Sequence, residues 1–194
     1  MMSVIRAIAV FLCGLSWTAC RAQILFPGAC PDVAAMSDFD PSRYLGKWYE
    51  AEKYFAAFEL GGTCITANYK LKDNGAISVV NEQFSLLTGT KKSITGEAVQ
   101  VSRSEPAKLS VTFSSLPVNI PAPYWIVSTD YDSYALIWSC YDFGIFHTRN
   151  AWILTRQRKP SASVLDEAYS AADKNNINRS YFMRTDQTNC SEDS

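Results

Sequence analysis

The segment TCITANYKLKDNGAISVVNEQF, residues 63–84, decides the architecture. Two ten-residue runs, 63–72 and 75–84, are rich in Thr, Ile, Val, Tyr and Phe, the residues that suit a pleated, half-buried surface. Between them lies Asp73-Asn74-Gly75. Asn-Gly readily takes the positive φ that tight hairpin turns demand, so the segment predicts two antiparallel strands.

Working outward, the same texture recurs over 46–55, 91–100, 108–114, 123–129, 134–140 and 147–156, giving eight expected strands. Ser104-Glu105-Pro106 and Asp130-Tyr131-Asp132-Ser133 mark two further tight turns. One helix follows. Ser163 with Asp166 three residues on is a capping signature, and Val164, Leu165, Ala168, Ala171 and Ala172 then share one face. Asn175-Asn176 ends it, and residues 180–184 offer a short last strand. Eight consecutive strands with short links predict an all-β fold: an eight-stranded up-and-down antiparallel barrel with one C-terminal α-helix packed on its outside. The links sort by character. The second, fourth and sixth are tight and polar. The first, third, fifth and seventh are longer and apolar, carrying Phe55 and Phe58, Leu86 and Leu87, Leu116 to Pro121, and Phe143 to Phe146. One end of the barrel is thus expected to be closed and the other to be an oily mouth.

The N-terminus reads as a secretory signal. Arg6 precedes the apolar run Ala7–Leu15, which is too short to span a bilayer, and small residues lead to Ala22. Residues 1–22 are therefore expected to be removed, leaving 23–194 as a single secreted, extracellular domain. A cut after Ala19, or a bacterial lipoprotein signal ending at Cys20, fits less well. The signal takes Arg6 and Arg21 and no acid with it, so net charge moves from −1 to −3. Nothing basic remains to attract nucleic acid. Of six cysteines, Cys13 and Cys20 fall in the signal. Cys30, Cys64, Cys140 and Cys190 remain, an even number that in an exported chain argues for two disulfides with three pairings open. Their wide spacing and the lone His147 argue against a bound metal. No phosphate loop or catalytic grouping is evident, so neither enzymatic activity nor a cofactor is expected.

Gly46-Lys47-Trp48-Tyr49, Thr129-Asp130-Tyr131 and Arg156 at the end of Ala151–Arg156 match, in order, the three signatures of the lipocalin family, which the sequence resembles. Further likeness, to one lipid-carrying branch of that family, runs through Phe39-Asp40, Cys64 with Ala67-Asn68-Tyr69, Glu105–Leu109, Pro123–Ile126, Tyr134-Ala135-Leu136 and Thr185-Asp186-Gln187 with Asn189-Cys190. The resemblance implies a cavity holding a small hydrophobic ligand such as a fatty acid, steroid or retinoid. A bilin or carotenoid pigment is the alternative cargo, because pigment carriers share the same motifs. It also implies the pairings Cys30–Cys140 and Cys64–Cys190, and a base sealed by Arg156 stacked on Trp48.

Strand alternation sends every second side chain inward, so if Trp48 and Arg156 point in, Trp152 and Leu154 should too. The resemblance places Tyr69, Asn81, Trp152 and Leu154 in the ligand pocket; Trp125 and Trp138 are further candidates. Phe55, Phe58, Leu86, Leu87, Ile120, Ile145 and Phe146 form either an apolar rim that meets membranes or lipoprotein particles, or a lid folded over the cavity. Asn178-Arg179-Ser180 is an N-glycosylation sequon; Asn189-Cys190-Ser191 is a poorer one because its cysteine is expected to be crosslinked. Oligomeric state is not legible.

Overall fold

The computed structural model describes residues 25–115 and 120–191. The expected signal, residues 1–22, and residues 116–119 of the fifth link lie outside the described residues. In chain order the elements are β1 (Leu25–Pro27), α1 (Pro41–Tyr44), β2 (Gly46–Lys53), β3 (Gly62–Leu71), β4 (Ile77–Ser85), β5 (Thr90–Ser102) and β6 (Glu105–Thr112). There follow β7 (Ala122–Thr129), β8 (Tyr134–Asp142), β9 (Phe146–Thr155), α2 (Ala162–Lys174) and β10 (Met183–Arg184). Strands β2 to β9 pair antiparallel with their neighbours, and β9 pairs back onto β2, which closes the eight-stranded barrel. Closure removes the open edges that an eight-stranded sheet would otherwise expose.

The hairpin at 63–84 forms as its sequence dictates. Tyr69 stands opposite Val79 and Ala67 opposite Asn81. Gly75 has φ +83°, and Asn74 Oδ1 accepts the Ala76 N–H at 3.1 Å. The turn is wider than the sequence suggests, because Lys72 N–H bonds to Ala76 O at 2.8 Å and the strands stop at Leu71 and Ile77. At the opposite end, the links after β2, β4, β6 and β8 share the mouth.

Two hydrophobic clusters lie on the two faces of this wall. The inner one gathers Trp48, Ala67, Tyr69, Ile77, Val79, Ala98, Ala107, Leu109, Val111, Ile126, Ala135, Ile137 and Leu154, with Phe39 and Tyr44 from the chain that crosses the base. The outer one gathers Val127, Leu136, Trp138, Ala151 and Ile153 under Ala168, Ala171 and Ala172 of α2. The helix therefore packs by the stripe its periodicity predicts, with Val164 and Leu165 at its margin. Its start differs by two residues: the N-cap is Ser161, and Ser163 lies in the first turn with its Oγ 2.9 Å from that of Ser161.

Four cysteines pair as Cys30–Cys140 and Cys64–Cys190. The first fixes the segment after β1, a strand the sequence does not announce, onto β8. The second fixes the C-terminal tail onto β3. That tail takes a structural place in the wall. Beyond Tyr49↔Thr66 the pairing of β2 with β3 ends, and Cys64, at φ +54°, bends β3 away. Residues of the tail fill the gap: Thr185 N–H bonds to Ala51 O at 3.0 Å and Cys64 N–H to Asp186 O at 2.8 Å. Gln187 Nε2 donates to both Glu50 O and Ile65 O, at 3.0 and 2.8 Å.

Candidate ligand cavity

The base is built around Arg156. Its guanidinium carbon sits 3.7 Å above the Trp48 ring. Nε donates to Tyr131 O at 2.9 Å, Nη1 to Lys47 O at 3.0 Å and Nη2 to Arg43 O at 3.2 Å. One side chain thus ties α1, the start of β2 and the β7–β8 turn together. Trp48 is fully buried, and its Nε1 donates to Tyr44 O at 2.9 Å. Gly46 starts β2 beside Arg156 at φ +94°, a backbone conformation that a residue with a Cβ rarely adopts. The turn is held by Asp130, whose Oδ1 accepts from Ser133 N at 2.9 Å and Tyr134 N at 3.0 Å. Partial burial works against the Asp130 carboxylate, but these bonds and the Ser133 hydroxyl outweigh it and hold its pKa below the usual range.

Above the seal three phenols meet. Tyr124 Oη lies 2.8 Å from Tyr44 Oη and 2.7 Å from Tyr69 Oη. Burial raises all three pKa values, that of Tyr69 to about 12, so the hydroxyls stay protonated. Neither Tyr44 nor Tyr124 stands out in the sequence; inward parity from Ile126 is the signal that finds Tyr124.

Higher still, inward-pointing residues cease to be buried. Trp152, Asn81, Phe113 and Tyr124 belong to interior positions of β9, β4, the end of β6 and β7, yet each retains solvent-accessible surface. Side chains that face the centre without being fully covered show that the interior packs less tightly here than at the base. Small residues take inward positions on β3, β5, β6 and β8: Ala67 opposite Asn81, Gly96, and, nearer the base, the buried Ala98, Ala107 and Ala135. At Gly96 a Cβ would fall 2.7 Å from the Phe113 ring, which occupies that space instead. Asn81 Oδ1 is buried with no hydrogen-bond partner. A lone acceptor in an apolar wall is costly unless something donates to it.

Of the sequence-derived candidates, Tyr69, Asn81, Trp152 and Leu154 thus come together on the inner face. Trp125 and Trp138 do not. Both lie on the outer face, Trp138 within the cluster beneath α2 and Trp125 beside it with Lys108 Nζ 4.5 Å from its ring. The reason is parity. Tyr124 and Ile126 point inward on β7, and Ala135 and Ile137 on β8, so Trp125 and Trp138, each next to an inward residue, must point out. A helix needs an apolar wall to pack on, and these indoles supply it.

The upper wall of β2 holds a charged group the sequence reading did not anticipate. Trp48 faces in, so Glu50 does as well. A bulge between Glu50 and Glu52 then turns both Ala51 and Glu52 outward, where Glu52 accepts the Tyr169 hydroxyl of α2 at 2.6 Å. Lys53 returns to the inner face, 2.9 Å from Glu50 Oε1. Its Nζ also lies 2.7 Å from Glu59 Oε2, in the 3₁₀ turn Ala57–Glu59 of the mouth loop. The Thr185 hydroxyl donates to Glu50. Burial, then the nearby Glu59, pushes the Glu50 carboxyl up to about 8. Burial alone would lower the Lys53 ammonium, but the two carboxylates outweigh it and hold it above its ordinary value. Asn150, also inward on β9, donates from Nδ2 to Phe55 O at 3.2 Å, a second tie between wall and mouth loop.

Most of the rim is exposed rather than folded inward, whereas Phe55 and Phe146 are half-buried. Phe58, Leu60, Leu86, Leu87, Ile120, Phe143 and Ile145 all present large apolar surface, Leu87 and Ile145 at 80% and 84% of their full exposure. Among the described residues no group of three or more His, Cys, Asp or Glu side chains could hold a metal ion.

A closed antiparallel barrel with a helix on its flank, a sealed base and an apolar cup open at one end is a binding scaffold. Comparison with known proteins is concordant. The model of the lipocalin / cytosolic fatty-acid binding protein family matches residues 45–189, and the chain belongs to the lipocalin family. It is similar to apolipoprotein D of Mus musculus, 43% identical over 180 residues, spanning 92% of this chain and 93% of that protein. The Lazarillo protein of Schistocerca americana is 35% identical over 87% of this chain and 78% of its own. Among solved structures, insecticyanin from the tobacco hornworm Manduca sexta superimposes with a TM-score of 0.76 at 28% identity, over 89% of this chain and 92% of that one.

Proposed function

We propose that this protein is an extracellular carrier that takes a small hydrophobic ligand, of the fatty acid, steroid or retinoid kind, into the barrel and releases it again. The observation that carries this reading is that Trp152, Asn81, Phe113 and Tyr124 face inward and stay partly accessible above a sealed base, with the buried Leu154 and Tyr69 completing the wall beside them. Covering about 300 Å² of apolar ligand surface contributes roughly 7–8 kcal/mol gross. Lost ligand freedom removes several kcal/mol of that, which leaves micromolar affinity, suited to a shuttle that must let go. The two disulfides accord with work outside the cell. Asn178 is exposed and accessible to glycosylation, whereas Cys190 in the second sequon is crosslinked.

Titration of intrinsic tryptophan fluorescence with palmitate, a steroid, retinol and biliverdin tests the reading. Saturable quenching by one or more is expected, and loss of quenching amplitude in Trp152→Phe. Failure of the whole panel to quench overturns it. The pigment alternative predicts instead that protein isolated from its source absorbs visible light. The exposed rim favours a second element of the reading, docking of the mouth on a membrane or lipoprotein particle. Phe58→Ser, Leu87→Ser and Ile145→Ser together should abolish flotation with liposomes; equal flotation of both proteins removes that element.

A further inference from the structure

Resting on the carrier reading, we propose that Glu50 and Glu59 are specificity-determining residues: by occupying the ammonium of Lys53 they make the cavity select uncharged lipid head groups over anionic ones. Lys53 is the only lysine or arginine that is buried among the described residues, and it faces the interior. A buried ammonium on the wall of an apolar cup would ordinarily be an anchor for a carboxylate or sulfonate. Here it is already bracketed, 2.9 Å from one carboxylate and 2.7 Å from another. Two acids against one base leave the cluster neutral when Glu50 holds its proton and negative when it does not. In neither state is there positive charge to spare for a ligand.

The rest of the interior agrees. The other cation of the barrel axis, Arg156, is committed to three carbonyls beneath the seal. Lys92, which shares the inward parity of Gly96 and Ala98, stands exposed near the outer end of β5. What the cavity offers is neutral. Asn81 Oδ1 accepts. The phenol trio has three O–H hydrogens and spends at least two of them on bonds between its members, so it has at most one to donate. An alcohol, ketone or ester matches these groups, so of the cargo classes above a steroid or retinol fits as it stands and a fatty acid only in its un-ionised form. An anion meets the carboxylates at the mouth and at most one neutral donor within, too little to offset its desolvation.

The test uses the disulfide-intact protein and three probes of equal chain length: decanol, methyl decanoate and decyl sulfonate, each below its micellar concentration. Displacement of the neutral dye Nile red reads affinity. The native protein should prefer the alcohol and ester over the sulfonate at least tenfold. Glu50→Gln with Glu59→Gln releases the ammonium and should shift the sulfonate-to-alcohol ratio at least tenfold toward the sulfonate. Adding Lys53→Met should reverse that shift. If the double variant does not fold, Glu59→Gln alone, in the mouth loop, should shift the ratio about threefold. Native protein that binds sulfonate as tightly as decanol overturns the proposal while leaving the carrier reading intact, as does a ratio unmoved by the substitutions. Failure of Nile red and all three probes to bind overturns the carrier reading itself.

Discussion

Replacing Arg156 by alanine should destabilise the fold by about 3–4 kcal/mol. The guanidinium stacks 3.7 Å over Trp48, a contact contributing about 1 kcal/mol. Its three donors reach carbonyls at 2.9, 3.0 and 3.2 Å, and hydrogen bonds from a charged donor contribute roughly 1.5–3 kcal/mol each. Arg156 is only partly buried, and water can reach the freed carbonyls at the base, so the summed value must be discounted by more than half. For a domain of this length 1 kcal/mol corresponds to about 2–4 °C in Tm, so a drop of roughly 6–15 °C is expected. Arg156→Lys should fall between, because an ammonium keeps the charge over the indole but cannot span three carbonyls. Urea unfolding followed by tryptophan fluorescence and by far-ultraviolet circular dichroism measures both variants. A loss below about 1 kcal/mol in Arg156→Ala, or equality of the lysine and alanine variants, refutes the view that a planar three-way donor holds the base.

Glu50 should give stability a measurable pH dependence. Its folded pKa, about 8, lies above its unfolded value, so its contribution is fully present below about pH 4.5 and is lost as pH rises through 8. Glu50→Gln should therefore gain on the native protein at up to about 1.4 kcal/mol per pH unit across that window; parallel urea-stability curves between pH 5 and 8 count against it. Trp138→Ala should cost about 3–5 kcal/mol of stability yet leave ligand affinity within twofold, whereas Trp152→Ala should weaken binding; the reverse pattern in paired unfolding and quenching titrations contradicts the two faces assigned here. Cys64→Ser with Cys190→Ser removes a crosslink spanning 126 residues and should cost about 4–5 kcal/mol, read as a lower urea midpoint.

The barrel was legible because its signals are local. Asn74-Gly75 declares a hairpin, short polar links alternate with apolar ones, and the stripe Ala168, Ala171, Ala172 declares a packed helix. The lipocalin signatures point to the meeting of Trp48 with Arg156, and the wider resemblance points to the inner-face positions of Tyr69, Asn81, Trp152 and Leu154. What composition does not carry is the face of an aromatic residue. Trp125 and Trp138 suit an inner wall as well as an outer one, and only the register with Ile126 and Ile137 decides. Bulges hide more. The extra residue between Glu50 and Glu52 is why Lys53 shares a face with Glu50 at a spacing of three, a periodicity strict alternation forbids. The meeting of Glu59 with Lys53, and of Thr185 with Glu50, depends on a loop and a tail that no local pattern places.

The tail has a consequence for biogenesis. Between the upper halves of β2 and β3 the seam is sewn by Thr185, Asp186 and Gln187, which follow all eight barrel strands in the chain. Until they dock, the cylinder has an unzipped slit beside its open end, and oxidation of Cys64 with Cys190 is the stitch that holds the slit shut.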